Sequence, residues 1–318
     1  MLISIIVPCY NEEAVLPLFL REIRLIEEKM HSDYGCAFEL LFVNDGSSDQ
    51  TLSLLRKFAK ESSGVRYLSF SRNFGKEAAM YAGLQAAKGN YVVIMDADLQ
   101  HPPAMLPEMY ENLMSGEYDC VAARRYSRKG EPPVRSFFSR MFYKIINRIS
   151  DTEIVDGACD FRMMKRRMVD AILALREYNR FSKGIFGWVG FRTCWLSFEN
   201  EKRSAGETKW SFFKLVKYSL DGIVNFSHLP LSIASMGGLI LTAIAAVMLV
   251  FIVVRRLVFG DPVAGWASTV CIVIFIGGVQ LFCMGIMGQY IAKMYTEVKN
   301  RPHYIVSQTD KEDIDKIG

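Results

Sequence analysis

Two long stretches of the chain contain no Asp, Glu, Lys, Arg or His: Leu229 to Val254, and Pro262 to Ala292. Each exceeds the roughly 20 residues a helix needs to cross the hydrocarbon core of a bilayer. Core helices of soluble proteins rarely run so long without a charge. The pattern therefore predicts two membrane spans, at about 230–254 and 266–290. Arg255, Arg256 and Asp261 mark a short connection, so the spans form an antiparallel hairpin with both chain ends on one side. Lys214, Lys217, Lys293, Lys299 and Arg301 flank the hairpin and favour the flanks inside. The apolar run Leu2–Val7 is too short for a signal peptide and lacks its basic start, which places the N-terminal part in the cytoplasm.

The remainder has an ordinary globular make-up. Of 318 residues, 51% are apolar and 23% charged, and the net charge of +4 is too weak to argue for a nucleic-acid partner. Seven scattered cysteines without a C-x-x-C pair give neither a disulfide framework nor a zinc site, and four histidines show no metal-ligand spacing. Before the first span, Lys214, Lys217, Asp221, Asn225 and His228 form a narrow polar stripe at helical spacing, and most other positions are apolar. A helix of that kind suits the membrane interface. The expected organisation is an α/β domain over 1–209, an interfacial helix over 210–228, the hairpin over 229–292 and a cytoplasmic tail over 293–318 that is short, polar and partly disordered after Pro302.

The first 170 residues alternate strand-like and helix-like patterns. Strands are expected at Ile3–Val7, Phe38–Val43, Val65–Ser69, Tyr91–Met95 and Asp119–Ala123, with helices between them, the first from Glu12 to Met30. Such apolar runs point to a parallel sheet covered on both faces. Ligands of such sheets bind beyond the carboxyl ends of the strands, which selects Pro8–Glu13, Asn44–Asp49 and Asp96–His101. No G-x-G-x-x-G and no G-x-x-x-x-G-K-[ST] is present.

The sharpest motif is Asp96-Ala97-Asp98, with Gln100 following. Two carboxylates at a strand end offer the hard oxygen ligands that Mg²⁺ or Mn²⁺ prefers when it bridges a diphosphate. In Val43-Asn44-Asp45-Gly46-Ser47-Ser48-Asp49, the Asp45 carboxylate is placed to accept hydrogen bonds from a nucleobase, and Gly46 permits a tight turn. Val7-Pro8-Cys9-Tyr10-Asn11-Glu12-Glu13 lies at a third strand end.

These three motifs, in that order, resemble family 2 glycosyltransferases of the GT-A fold, a Rossmann-like mixed sheet. Ser71-Arg72-Asn73-Phe74-Gly75-Lys76-Glu77, Asp160-Phe161-Arg162-Met163-Met164 and Arg203-Ser204-Ala205-Gly206-Glu207-Thr208-Lys209-Trp210 narrow the resemblance to the polyprenyl-phosphate glycosyltransferases, the group of dolichol-phosphate mannose synthase and the bactoprenol glucosyltransferases. The two spans match the bacterial branch. The resemblance implies a nucleotide sugar, with UDP favoured, held by Pro8, Tyr10, Glu12, Asp45, Lys76 and Asp96. It implies Mg²⁺ or Mn²⁺ on Asp98 and Gln100, with Asp96 beside them. The acceptor is expected to be undecaprenyl phosphate, its phosphate lined by Arg124 or Arg125, Arg135, Ser139, Arg203 and Lys209. Transfer with inversion is implied, in a bacterial inner-membrane protein; related enzymes suggest a homotetramer. Asp160 is placed near the acceptor as base or positioning group, with Arg162 as a ready partner and Asp156 as its rival. Relatives often carry D-T-G-D-F-R where this chain has Asp156-Gly157-Ala158-Cys159-Asp160-Phe161-Arg162, and that shift favours Asp160. The absence of Q-x-x-R-W argues against a processive polysaccharide synthase.

Overall fold

The structure, a computed structural model, describes residues 1–125, 147, 155, 157–198, 229–259 and 266–310. In chain order the first half runs β1 (Leu2–Cys9), α1 (Leu16–Tyr34), β2 (Ala37–Asn44), α2 (Thr51–Glu61), β3 (Val65–Phe70), α3 (Lys76–Ala86), β4 (Tyr91–Ile94), α4 (Leu106–Met114) and β5 (Cys120–Arg125). Then follow β6 (Ala158–Lys165), α5 (Arg166–Ala174), α6 (Ser182–Trp188), β7 (Thr193–Phe198), α7 (Leu229–Phe259), α8 (Trp266–Val298) and β8 (Val306–Thr309). The strands form one sheet in the order β7-β5-β6-β4-β1-β2-β3-β8.

Alternation along β1 builds the two layers. Ile3, Ile5, Val7 and Cys9 join one apolar cluster with α1, α2 and α4, while Ile6 joins the other with α3, α5 and α6. In the first layer Phe19 meets Phe42 edge to face, with ring centroids 6.1 Å apart. In the second, α3 lies so close to β1 that a Cβ on Gly83 would come within 2.2 Å of Ile6 Cγ2. The chain steps from β1 to β2 and β3 on one side and returns to β4 on the other. That reversal opens a crevice between the carboxyl ends of β1 and β4.

The structure refines the sequence reading in three places. The sheet is mixed, as the resemblance implies, and not parallel throughout as the apolar runs alone suggest: β6 runs antiparallel to both β4 and β5, and β8 antiparallel to β3. The first helix begins at Leu16, not Glu12, because the amides of Asn11, Glu12 and Glu13 bond to Ser47, Thr51 and Asp49. The tail is docked as far as Asp310, the last of the described residues. Helix α8 runs past residue 290 to Val298 and ends where Asn300 turns to a φ of +44°, a left-handed conformation that asparagine tolerates. Beyond it Tyr304 stacks on Phe70 at 4.9 Å and β8 closes the exposed edge of β3.

Helices α7 and α8 are long and apolar enough to cross a membrane, the most hydrophobic windows being Pro230–Met248 and Phe275–Val298. Neither window is covered by other parts of the described chain. The two touch where Cys283 Sγ lies 3.8 Å from the carbonyl of Ala234. The expected interfacial helix over 210–228 lies outside the described residues.

Candidate active site

Four loops meet at the carboxyl ends of β1 to β4. The first two are laced together by reciprocal bonds. Asn11 N–H donates to Ser47 Oγ at 2.9 Å, and Ser48 N–H donates back to Asn11 Oδ1 at 2.9 Å. Glu12 N–H reaches Thr51 Oγ1 at 2.9 Å, and Gln50 N–H reaches Glu13 Oε2 at 2.7 Å. Pro8 lies at the end of β1, and Tyr10 beyond it is exposed.

Asp45 ties the second loop to the third. Its buried carboxylate accepts the N–H of Phe74 at 2.6 Å on Oδ1 and that of Gly75 at 2.9 Å on Oδ2. Burial pushes its pKa up, partly opposed by these amide donors. Gly46 fits the same junction. Its φ is +65°, and a Cβ there would lie 2.4 Å from the backbone carbonyl carbon of Arg72.

The fourth loop holds the Asp96-Ala97-Asp98 motif. Register explains what it meets. Ile94 pairs with Arg162 on antiparallel β6, so two residues further on Asp96 stands opposite Asp160. Two facing carboxylates repel. The first residue of α3 resolves the conflict: Lys76 Nζ lies 2.7 Å from Asp96 and 2.6 Å from Asp160. Burial alone would lower the Lys76 pKa, but Asp160 and Asp96 outweigh it and raise it well above the usual lysine value. Asp160 is shifted the other way. Burial pushes its pKa up, but Lys76 and Lys183 hold it far below the usual carboxylate range. The expected partner, Arg162, adds its charge to those that lower the Asp160 pKa, while its guanidinium donates to the Cys159 carbonyl at 3.0 Å and lies over the Phe186 ring at 3.6 Å.

Backbone strain marks two of these loops. Asn11 has φ +53° and Leu99, between Asp98 and Gln100, has φ +55°. The second is costly for an apolar residue, and such conformations cluster at ligand sites. Asp98 Oδ1 accepts Gln100 N–H at 3.1 Å. Asp96, Asp98 and Gln100 present the oxygen donors that suit a hard divalent cation. Among the described residues no three His, Cys, Asp or Glu side chains gather into a metal cluster, so these donors would fill only part of a coordination shell, leaving room for water or phosphate oxygens. His101 is buried between Phe161 and Phe198, and neither ring nitrogen has a hydrogen-bond partner among the described residues. Burial keeps its pKa low.

Of the cations expected around an acceptor, Arg124 donates to Ser197 Oγ at 3.0 Å, and Arg125 lies near enough to His101 and Cys159 to act on both electrostatically. Asp156, Arg135, Ser139, Arg203 and Lys209 lie outside the described residues. Sequence reasoning missed Lys183, which acts on Asp160 from α6, and the pair that seats α6. That pair is Glu77 and Ser182: Ser182 donates through its hydroxyl and, at 3.2 Å, through its N–H. Only the neighbouring F-G-K-E run hinted at Glu77.

Burial lifts the Glu77 pKa from 4.5 to about 7, against the Ser182 donors. The folded state thus keeps a proton there that the unfolded chain releases near 4.5. Its contribution to stability is complete below 4.5 and is lost as pH rises to about 7. Glu77→Gln should flatten the fall in melting temperature between pH 5 and 7.5, measured against wild type in the same detergent. Parallel pH profiles would remove this assignment.

The fold defines a mixed α/β sheet protein joined to two long apolar helices, with a lysine-bridged pair of carboxylates at its strand ends. The chain belongs to glycosyl transferase family 2, which its residues 4–173 match, and is a glycosyltransferase built on a mixed α/β sheet. It is 43% identical over 309 residues to CsbB, a protein named as a glycosyltransferase, of Bacillus subtilis; the match covers 97% of this chain and 92% of that one. It is 39% identical over 311 residues to the SfII prophage-derived bactoprenol glucosyl transferase of Shigella flexneri, covering 98% and 99%. Among solved structures it is similar to glucosyl-3-phosphoglycerate synthase of Mycobacterium tuberculosis, with 20% identity, a TM-score of 0.44 and coverage of 70% and 77%.

Proposed function

We propose that this glycosyltransferase moves a sugar, glucose in the first instance, from a UDP-sugar to the phosphate of bactoprenol (undecaprenyl phosphate), with inversion. The observation that carries the reading is the near end-to-end likeness to a bactoprenol glucosyl transferase, which includes both apolar helices. The chain then divides into a cytoplasmic catalytic domain over 1–209, an interfacial helix over 210–228, a hairpin over 229–292 in the bacterial inner membrane and a C-terminal segment over 293–318.

Pro8, Tyr10, Glu12, Asp45 and Asp96 would hold the nucleoside, with Lys76 also at the nucleotide. Asp98 and Gln100, with Asp96, would hold Mg²⁺ or Mn²⁺. Bound there, the cation neutralises charge on the leaving diphosphate. Arg124, Arg125, Arg135, Ser139, Arg203 and Lys209 would hold the acceptor phosphate. A phosphate monoester is largely ionised at neutral pH, so its oxygen attacks without a strong base. Asp160, ion-paired to Lys76, is poorly matched to proton abstraction near neutrality and serves to orient groups at the reacting centre.

The test is a transfer assay with the purified full chain, Mg²⁺ and bactoprenol phosphate, offering radiolabelled UDP-glucose, UDP-GlcNAc, UDP-galactose and GDP-mannose in turn. A labelled glycolipid from UDP-glucose is expected, suppressed by EDTA and at least about 100-fold weaker in Asp98→Ala. No glycolipid from any donor would sink the reading; label in diacylglycerol would move it to another acceptor.

A further inference from the structure

The described chain joins the membrane anchor to the candidate site through one short series of contacts. Glu297 lies in the last turn of α8, at the end of the second apolar window. Its exposed carboxylate accepts the backbone N–H groups of Tyr178 and Asn179, each at 2.9 Å, and Asn179 Nδ2 at 2.9 Å. The same Asn179 amide donates to Thr296 Oγ1 at 2.9 Å. Three residues beyond Asn179, Ser182 bonds to Glu77, the neighbour of the Lys76 that bridges Asp96 and Asp160.

A second tether runs parallel to this one. After α8 the chain crosses α3, where His303 packs between Tyr81 and Tyr178, with centroid distances of 4.7 and 5.6 Å. Tyr304 Oη donates to Gln85 Oε1 at 2.7 Å. Strand β8 then starts with Val306 opposite Phe70 and leaves with Thr309 opposite Leu68. Because β8 is antiparallel to β3, the chain enters it at the carboxyl end of the sheet. The anchor thus arrives on the rim that carries Asp45 and Asp96.

We infer that Glu297 and Asn179 are positioning residues that fix the catalytic sheet, rim first, against the end of the membrane anchor and so set the site at the level of a lipid-borne acceptor phosphate. The inference rests on the proposed lipid-phosphate acceptor. Glu297 is exposed and supports no apolar core, so its bonds to a single loop are better explained by registration than by bulk stability. Lost registration acts on an acceptor fixed in the bilayer and spares one that diffuses to the site.

The full chain in lipid nanodiscs provides the test, with Glu297→Ala, Asn179→Ala and Glu297→Gln beside wild type. Two acceptors are compared: bactoprenol phosphate embedded in the disc, and a short-chain prenyl phosphate dispersed in solution. Glu297→Ala should raise KM for the embedded acceptor about tenfold and leave transfer to the dispersed acceptor and UDP binding within about twofold. Glu297→Gln, which keeps an acceptor oxygen, should recover most of the loss. Amide hydrogen exchange gives a readout independent of activity: the Tyr178 and Asn179 amides should exchange at least about tenfold faster in Glu297→Ala, with β1 and β2 unchanged. Equal losses on both acceptors, or unchanged exchange, would overturn the inference. Wild type inactive on both acceptors sinks the functional reading instead, and exchange alone then decides the coupling.

Discussion

Lys76→Met should lower sugar transfer by about 10²- to 10³-fold, the range seen when one preorganised charge partner is removed from a reacting centre. The expectation follows from register. Asp96 and Asp160 stand across an antiparallel pair, and Lys76 Nζ lies 2.7 and 2.6 Å from them. Carboxylates about 5 Å apart repel by on the order of 3 kcal/mol at an effective dielectric near 20. Methionine keeps the length of the side chain and removes the charge. One of the two acids then takes up a proton or turns away, and neither result leaves the crevice ready for a diphosphate.

The pH profile gives the same variant a second readout. In wild type, burial pushes the Asp160 pKa up, but Lys76 and Lys183 pull it well below the ordinary range. Without Lys76 the largest opposing charge is gone, so the Asp160 pKa rises. An acid limb of the activity profile that wild type reaches only at very low pH should therefore move upward. Lys76→Arg keeps the charge in a larger, planar group and should restore only part of the rate. Turnover of Lys76→Met within about threefold of wild type would show that the ion pairs are incidental.

The carboxyl-end motifs were legible because each follows a short, largely apolar run with a turn signal behind it. Asn44-Asp45-Gly46 after Phe38–Val43 is the clearest case. The two apolar stretches were legible from charge alone. What stayed hidden depends on partners far apart in the chain. Strand β6 carries Asp160, Arg162 and Lys165 among its eight residues, a charge load that masks a strand buried between two neighbours. Once its antiparallel direction is known, Asp96 facing Asp160 follows at once, and Lys76 becomes a bridge between them as well as the nucleotide contact that the resemblance implies. Strand β8 has four residues and no strong alternation; it forms because β3 offers an open edge and Phe70 a ring for Tyr304. Glu297 reads as an ordinary charge after a span until the loop at Tyr178 is folded against it.

Asp45→Ala should strike stability and nucleotide binding together, because the carboxylate holds the loop from which α3 starts. Its two oxygens accept the amides of Phe74 and Gly75, and the next residue is Lys76. Two amide donors left without an acceptor cost about 1–3 kcal/mol each when buried. Against that stands the penalty of the buried charge itself, visible as the raised Asp45 pKa. The net loss should be about 1–3 kcal/mol. Asp45→Asn separates the two effects: one carbonyl oxygen still accepts, and the charge is gone. It should melt within about 1 kcal/mol of wild type while UDP affinity falls about tenfold, since a carboxylate has lone pairs to spare for a nucleobase N–H and an amide has fewer. Thermal unfolding and UDP titration of the same preparations check both values. An unchanged melting temperature for Asp45→Ala would mean that the loop carrying Lys76 is held by Gly46 and its close backbone contact with Arg72 rather than by the carboxylate.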